Sequence, residues 1–316
     1  MRTHLVALVA MALLTVPFAG TAQHPVESRI PIDGANLYAR AVGDGQPAIV
    51  LHGGPDFDHL YLLPDFDQYA DVFRLIYYDQ RGRGRSADGV RADDVTLASE
   101  LEDVDRVRQH YGLERVALIG HSWGIVLALE YALRHPERVS RLILMNPAPA
   151  SADQFALMRT FYLEKLGPAM DRQSEIATGD AYRAGDPEAV IARYRIHFRP
   201  AFRYDEPYER LMVAMADAFR NQGSEGILKA RAVEDRLMEE TWLDADYDLL
   251  RKIRALRIPT LVVTADSDFI PVAVAEQIGH AIPDAQLVTL RECGHFSYME
   301  CPDDLSAALR DFLRRQ

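Results

Sequence analysis

Residues 116–129 read Val116-Ala117-Leu118-Ile119-Gly120-His121-Ser122-Trp123-Gly124-Ile125-Val126-Leu127-Ala128-Leu129. An apolar β-branched run ends at a glycine, a serine stands between two glycines, and small and aliphatic residues with helical spacing follow. This pattern predicts a strand, a sharp turn and a helix, with the serine in a strained backbone conformation at the turn. We expect the Ser122 hydroxyl to be exposed there as a nucleophile, with glycines at 120 and 124 because side chains would collide with the neighbouring strand and helix.

Strands and helices alternate on both sides of this stretch. A helix is expected between Thr96, a candidate cap, and Gly112, its stop signal. Apolar runs bounded by turn residues predict further strands at Ser28 to Ile32, Leu37 to Val42, Ala48 to Leu51, Phe73 to Tyr78, Arg141 to Asn146, Thr260 to Thr264 and Ala285 to Leu290. The alternation predicts an α/β fold with a mostly parallel sheet covered on both faces.

The alternation stops between residues 148 and 249, where the composition is helical. Amphipathic segments are expected around Ala152 to Leu166, Pro187 to Phe198, Glu209 to Ala218 and Gly226 to Glu240. We predict a helical cap over 148–249, inserted into a core made of 23–147 and 250–316. An independent second domain is the alternative, but the sheet would then lack its last strands.

Two loops that leave the carboxyl ends of later predicted strands carry carboxylates and a histidine. One loop contains Asp266 and Asp268, and the other contains His295. A serine hydroxyl needs a base within hydrogen-bond reach, and that base needs an anion to fix its tautomer. We predict Ser122 as the nucleophile, His295 as the base and Asp268 as the acid. Asp266 is the rival acid, and His52 is the rival base, although a ring before two glycines more often holds its own loop.

Acyl transfer also requires donors that face the developing oxyanion. The backbone amide of Trp123, directly after the nucleophile, is one candidate, and the amide of Gly54 in an earlier loop is the second. His121 precedes the nucleophile, and we interpret it as a packing residue and not as a second base.

Four motifs together resemble one family: His52-Gly53-Gly54-Pro55, Tyr78-Asp79-Gln80-Arg81-Gly82-Arg83-Gly84-Arg85-Ser86, Gly120-His121-Ser122-Trp123-Gly124 and Gly294-His295. The combination is similar to the proline iminopeptidase branch of the α/β-hydrolase superfamily. This resemblance implies an α/β-hydrolase fold and a serine hydrolase that releases N-terminal residues from small peptides. One departure is Asp56, which stands where the loop of that family usually has glycine.

In that family, cap carboxylates hold the free amino group of the substrate, one of them on a segment that ends in a His-Tyr-Phe-like run. The nearest counterpart is Arg193-Tyr194-Arg195-Ile196-His197-Phe198-Arg199, whose basic residues favour a neutral or anionic substrate. The candidate substrate-binding carboxylates are Asp56, Glu206, Glu209, Glu239 and Glu240. Turn preference favours Asp56 as an ordinary loop residue, and acidic residues on helix surfaces are usually only solvated.

Residues 1–22 have the pattern of a secretory signal peptide. A basic start precedes an apolar run from Leu5 to Val16, and Gly20 and Ala22 suit the cleavage positions. We expect an exported protein, periplasmic or secreted, that begins near Gln23 and keeps no membrane insertion. A retained anchor is the alternative, but the apolar run is short for a bilayer span.

Composition limits the classes of partner and cofactor. The net charge of −12 argues against a nucleic-acid or anionic-membrane partner, so we expect a small-molecule or short-peptide substrate. Cys293 and Cys301 are the two cysteines, and eight residues between a loop and a helix start make a bridge demanding, so we expect two buried thiols. Metal-ligand spacing is missing from the sequence, and we expect no metal and no cofactor.

Three functions fit these observations. The leading hypothesis is an exported aminopeptidase of the proline iminopeptidase type that works through an acyl-enzyme. A carboxylesterase for small esters is the alternative, and a non-catalytic binding protein on the same fold is a third. An epoxide hydrolase or haloalkane dehalogenase of this fold would need a carboxylate in place of Ser122.

Overall fold

The computed structural model of the protein describes residues 24–315, and the predicted signal peptide lies outside the described residues. The described chain forms one eight-stranded sheet. Its strands are β1 Val26–Ile32, β2 Ala35–Val42, β3 Gln46–Leu51, β4 Phe73–Tyr78, β5 Val116–His121, β6 Val139–Met145, β7 Thr260–Ala265 and β8 Gln286–Leu290.

The strand order across the sheet is β1-β2-β4-β3-β5-β6-β7-β8. The β1–β2 and β2–β4 pairs are antiparallel, and all other neighbours are parallel. Every residue of β5 and β7 is buried, as expected when helices cover both faces of a parallel sheet. The predicted α/β fold with a mostly parallel sheet is therefore confirmed, and the carboxyl ends of β3, β5, β6, β7 and β8 meet along one edge.

Helices α1 Leu97–His110 and α2 Gly124–Arg134 follow strands of the first half of the sheet, and α1 begins at the predicted cap Thr96. The helices between β6 and β7 are α3 Ala152–Leu166, α4 Ala169–Thr178, α5 Asp180–Arg183, α6 Pro187–Phe198, α7 Asp205–Glu239 and α8 Leu249–Lys252. The remaining helices are α9 Val272–Ala281, α10 Ser297–Glu300 and α11 Pro302–Arg314.

The chain between β6 and β7 is the interval that the sequence assigns to the cap. β6 and β7 pair directly, with Leu142 opposite Thr260, so the helices of this interval project from the sheet edge without interrupting it. The two predicted segments around 209–218 and 226–240 lie on opposite sides of Gly223 (φ +63°), where the helical backbone of α7 is interrupted by a kink. Among the described residues, no helix has the length and apolar character of a membrane span.

The expectation of two separate thiols is wrong. Cys293 and Cys301 form a disulfide, with Cα atoms 6.2 Å apart, a separation that disulfides commonly have. The short helix α10 turns the chain back after His295, so residues eight positions apart come close together. The disulfide therefore closes the loop that carries His295.

Candidate active site

Ser122 lies at the turn between β5 and α2, with the left-handed φ of +53° that the sequence pattern predicts. Glycine is required at the two positions that flank it, 120 and 124, because neighbouring backbone lies too close for a side chain. A Cβ at Gly124 would lie 2.0 Å from the carbonyl oxygen of Leu51, and a Cβ at Gly120 would lie 2.8 Å from the backbone of Gly124. Strand β3 and helix α2 can thus pack tightly enough to present the serine at the sheet edge.

His295 follows β8 and contacts the carboxylate of Asp268, which follows β7. The Nδ1 atom of His295 lies 3.0 Å from both carboxylate oxygens. The backbone amide of Ile270 and the side-chain amide of Asn146 also donate to these oxygens, at 2.9 and 3.0 Å. Burial raises the pKa of Asp268, but the charge of His295 and these hydrogen bonds outweigh burial and lower it overall. The acid is therefore ionised and oriented toward the ring.

The structure separates these residues from their rivals. Asp266 accepts a hydrogen bond from Ser267 Oγ at 3.1 Å and lies 3.7 Å from an Arg291 nitrogen, away from His295. The His52 ring lies 3.1 Å from the Gly53 carbonyl oxygen through Nδ1, and its Nε2 accepts from the Gln80 amide at 3.2 Å. Burial lowers the pKa of His52 to about 3. The His52 ring is therefore neutral, and its hydrogen bonds stabilise the loop after β3.

The proposed oxyanion donors lie beside the nucleophile. A Cβ at Gly53 would come within 2.7 Å of the Ser122 Cβ, so the loop after β3 touches the serine. Gly54 follows with a φ of +53°, which favours glycine. The amides of Gly54 and Trp123 donate no backbone hydrogen bond within residues 24–315, so both are available to a bound oxygen.

A chain of hydrogen bonds joins this loop to the loop of His295. The Gly53 amide donates to the Tyr61 hydroxyl at 2.6 Å, and that hydroxyl lies 2.7 Å from His121 Nδ1. His121 Nε2 in turn lies 3.0 Å from the His295 carbonyl oxygen. Burial and the nearby His295 lower the pKa of His121 to about 3, so Nδ1 accepts and Nε2 donates. His121 does more than fill space, because it connects the two loops.

A cavity of about 470 Å³ lies between the sheet edge and the helices that follow β6. Ser122, His295, Gly54 and Trp123 all line it. Its walls are otherwise rich in aromatic side chains, contributed by Phe57, Phe155, Tyr162, Phe198, Trp242, Phe269 and Phe296. A concave, largely apolar pocket with a few convergent polar groups is typical of a small-molecule site.

Charged side chains of both signs line the same cavity. Asp56 is buried and accepts a hydrogen bond from the Tyr194 hydroxyl. Glu234, Arg193 and Arg231 join it there. Burial raises the pKa of Asp56 and of Glu234, Asp56 raises that of Glu234 further, and the neighbouring Arg193 opposes both shifts. With Asp235 and Arg159, which also line the cavity, the site holds three carboxyls and three guanidinium groups.

Of the five predicted substrate-binding carboxylates, only Asp56 lines the cavity. Exposed Glu206 and Glu209 form ion pairs with Arg210 and Arg195, at 2.7 and 3.0 Å. Glu239 is exposed, and Glu240 accepts a hydrogen bond from the Leu97 amide at the start of α1 at 2.8 Å. The structure therefore does not bring these four carboxylates to the cavity of Ser122.

Sequence reasoning also missed Glu234, Asn146 and Tyr61. Glu234 stands in a segment predicted as a helix. The spacing of the apolar residues in that helix was the signal that could have shown which of its faces meets the cavity. Asn146 directly follows β6, so its place at the end of a parallel strand was the available signal. Tyr61 carries no such signal, since it lies in a single 3-10 turn, His59–Leu62, after β3.

Known proteins resemble this chain in sequence and in structure. The family described as alpha/beta hydrolase fold matches residues 47–302. Proline iminopeptidase of Saccharolobus solfataricus is 27% identical over 293 residues, covering 89% of this chain and 90% of the relative. A probable proline iminopeptidase of Streptomyces coelicolor is 31% identical over 309 residues, covering 89% and 93%. The crystal structure of proline iminopeptidase from Mycobacterium smegmatis superposes with a TM-score of 0.70 at 22% identity, covering 92% and 98%. The chain is thus a hydrolase that belongs to the α/β-hydrolase family and, within it, resembles the proline iminopeptidases.

Proposed function

We propose that the protein is a serine aminopeptidase that removes one N-terminal residue from small peptides. The observation that carries this proposal is the pair of carboxyls, Asp56 and Glu234, inside the cavity of Ser122. A free ammonium group is the complementary partner for the buried carboxyl of Asp56 and the half-buried carboxyl of Glu234, since each loses hydration in the cavity.

The position of Asp56 limits the length of the acyl group. Asp56 stands two residues after Gly54, so the Cα atoms of these two residues are at most about 7 Å apart. In an N-terminal residue, one carbon separates the ammonium nitrogen from the scissile carbonyl. The site therefore fits a single aminoacyl group whose carbonyl lies at Ser122.

The reaction follows from the neighbouring groups. His295 accepts the Ser122 proton as Oγ attacks the carbonyl, while the Gly54 and Trp123 amides bind the oxyanion. His295 then gives the proton to the leaving amine as the carbon–nitrogen bond breaks, which leaves an acyl-enzyme. Water, deprotonated by His295, attacks this ester and releases the amino acid. Asp268 orients the ring and stabilises its charge throughout.

Replacing Glu234 by glutamine tests the amine anchor. We expect kcat/KM for a prolyl anilide to fall about thirtyfold or more, because the ammonium loses a half-buried charge partner. Hydrolysis of a short-chain nitrophenyl ester, which has no amine, should change little. Parallel steady-state assays of both substrates with the purified protein measure the two effects.

The matched control is Glu239→Gln, which removes an exposed carboxylate from the same helix α7. It should leave both activities unchanged. N-acylation of the anilide should abolish its cleavage by the wild-type protein. Cleavage of the ester alone, with no turnover of free-amine anilides, would contradict the aminopeptidase and leave the carboxylesterase.

Replacing Tyr61 by phenylalanine tests the hydrogen-bond chain between the two loops. We expect kcat to fall about tenfold to a hundredfold, because the Gly53 amide and His121 Nδ1 both lose their partner and the reacting groups shift. Tyr78→Phe is the control, since its buried hydroxyl has no hydrogen-bond partner in the described structure. Steady-state kinetics and thermal unfolding of both variants separate a specific effect of the Tyr61 hydroxyl from a general loss of stability. Equal losses of kcat in the two variants would contradict a specific role for Tyr61.

We also propose that the protein is exported from the cytoplasm. This proposal rests on the signal-peptide pattern of residues 1–22 and is supported by the Cys293–Cys301 disulfide, because disulfides persist in oxidising compartments. N-terminal sequencing of the protein from the periplasm or the medium should give a start near Gln23. An intact Met1 on protein retained in the cytoplasm would contradict export.

A further inference from the structure

Three arginines line the cavity, Arg159, Arg193 and Arg231, and the proposed reaction uses none of them. Arg193 of α6 and Arg231 of α7 both pack on the Tyr182 ring, with guanidinium carbons 5.5 and 4.0 Å from its centroid. Arg193 also lies 5.1 Å from the centroid of Tyr194, the residue that donates to Asp56. The aromatic rings therefore hold both guanidinium groups in place at the cavity wall.

These arginines differ from buried arginines elsewhere in the protein. Arg83 contacts Glu100 at 2.6 Å, and Arg81 contacts Asp103 at 2.5 Å, as expected when an arginine neutralises a buried carboxylate. In the described part of the chain, neither Arg193 nor Arg231 has a carboxylate within the 4.0 Å of an ion pair.

Arg231 Nη1 does donate to the Tyr182 carbonyl oxygen at 3.1 Å. Its other donors, and those of Arg193, are thus not committed to Asp56 or Glu234. The arginines and the carboxyls line the same cavity without forming ion pairs with each other. This arrangement is expected of a site whose ligand carries a negative group for the arginines and a positive group for the carboxyls.

We infer that Arg193 and Arg231 bind a second carboxylate of the substrate, so that the preferred N-terminal residue is glutamate or aspartate. This inference rests on the proposed aminopeptidase function. Such a residue carries an ammonium group for Asp56 and Glu234 and a side-chain carboxylate for the arginines. The charges of the site and of the aminoacyl group then balance.

The spacing of the anchors fits this class of substrate. Arg231 and Glu234 are three residues apart on α7, so they are neighbours on one helix face with Cβ atoms about 5–6 Å apart. In aspartyl and glutamyl groups, one or two methylene groups separate the side-chain carboxylate from the carbon that bears the ammonium. One helix turn can therefore hold both charges of the same residue.

The test compares two isosteric substrates, glutamyl and glutaminyl p-nitroanilide, which differ in one charge. We expect the wild-type protein to favour the glutamyl substrate in kcat/KM by about thirtyfold or more. Arg193→Met and Arg231→Met should each remove most of this preference by lowering the rate on the glutamyl substrate. Titration of either anilide into Ser122→Ala should show the same preference in binding.

Arg195→Met is the matched control, because Arg195 lies on the same helix α6, pairs with Glu209 at 3.0 Å and does not line the cavity. It should keep the preference. Arg193→Lys retains the charge and should keep part of the preference if the methionine variant folds poorly.

Three results would overturn the inference. Equal cleavage of the two anilides by the wild-type protein would mean that the arginines serve only to balance Asp56 and Glu234. Equal loss on both substrates in the methionine variants would mean the same. Hydrolysis of nitrophenyl esters without cleavage of any free-amine anilide would overturn the aminopeptidase itself, and this outcome is distinct from the other two.

Discussion

Ser122→Ala is expected to lose all measurable turnover of both anilides and esters, a fall in kcat on the order of a millionfold. The reason is that Ser122 stands at the turn between β5 and α2, in the same cavity that Gly54, Trp123 and His295 line. Without Oγ no bond to the substrate carbonyl carbon can form. The remaining hydrogen-bond donors can still bind the substrate, but the protein cannot cleave it. Steady-state assays and labelling with a fluorophosphonate measure the effect.

The fold should survive this change, because alanine keeps the backbone hydrogen bonds of the turn, in which the Ser122 amide donates to the Met145 carbonyl oxygen at 3.0 Å. Circular dichroism and thermal unfolding should match the wild-type protein. Ser267→Ala is the control, since Ser267 lies in a neighbouring loop and its hydroxyl contacts only Asp266. Full activity or full labelling in Ser122→Ala would overturn the nucleophile and the mechanism built on it.

Local patterns were sufficient to predict the fold and the ends of its parallel strands. A strand that is buried on both faces is apolar along most of its length, and the glycines at 120 and 124 are required by the close packing of β3, β5 and α2. Loops that leave parallel strands meet at one edge by topology alone. Ser122, Asp268 and His295 could therefore be brought together without coordinates.

The cap could not be predicted in the same way, because its specificity depends on helix rotation. Arg231, Glu234, Asp235 and Met238 line the cavity at helical spacings of three and four. Glu239 and Glu240, predicted to be substrate ligands, lie off that face. Carboxylates stand both on the cavity face and off it, so only the packing of α7 over the sheet edge decides which carboxylate meets the substrate.

The disulfide and the hydrogen-bond chain were missed for a related reason. Tyr61, His121 and the His295 carbonyl oxygen come from three separate segments, and their contacts depend on backbone paths that carry no periodic signal. Cys293 and Cys301 approach only because α10 reverses the chain. The local sequence shows whether a segment repeats like a helix or like a strand. These contacts depend instead on the path of the loops that join such segments.

Asp268→Asn is expected to lower kcat about ten-thousandfold with a small change in KM. The carboxylate accepts from Ile270 N and Asn146 Nδ2 on its two oxygens, so it is surrounded by donors. An amide at 268 has one oxygen and one NH₂ group, and this NH₂ group would turn toward His295 Nδ1. The ring would then carry its proton on Nε2, where it can no longer accept the proton of Ser122.

Asp266→Asn is the matched control, because it changes a carboxylate two positions away in the same loop that does not contact His295. It should retain nearly full activity on both substrates, and both variants should unfold near the wild-type temperature. The acid would be reassigned if Asp266→Asn alone caused the larger loss, or if Asp268→Asn kept wild-type kcat. A loss confined to kcat in Asp268→Asn separates tautomer control from substrate binding, since the cavity that holds the aminoacyl group is unchanged.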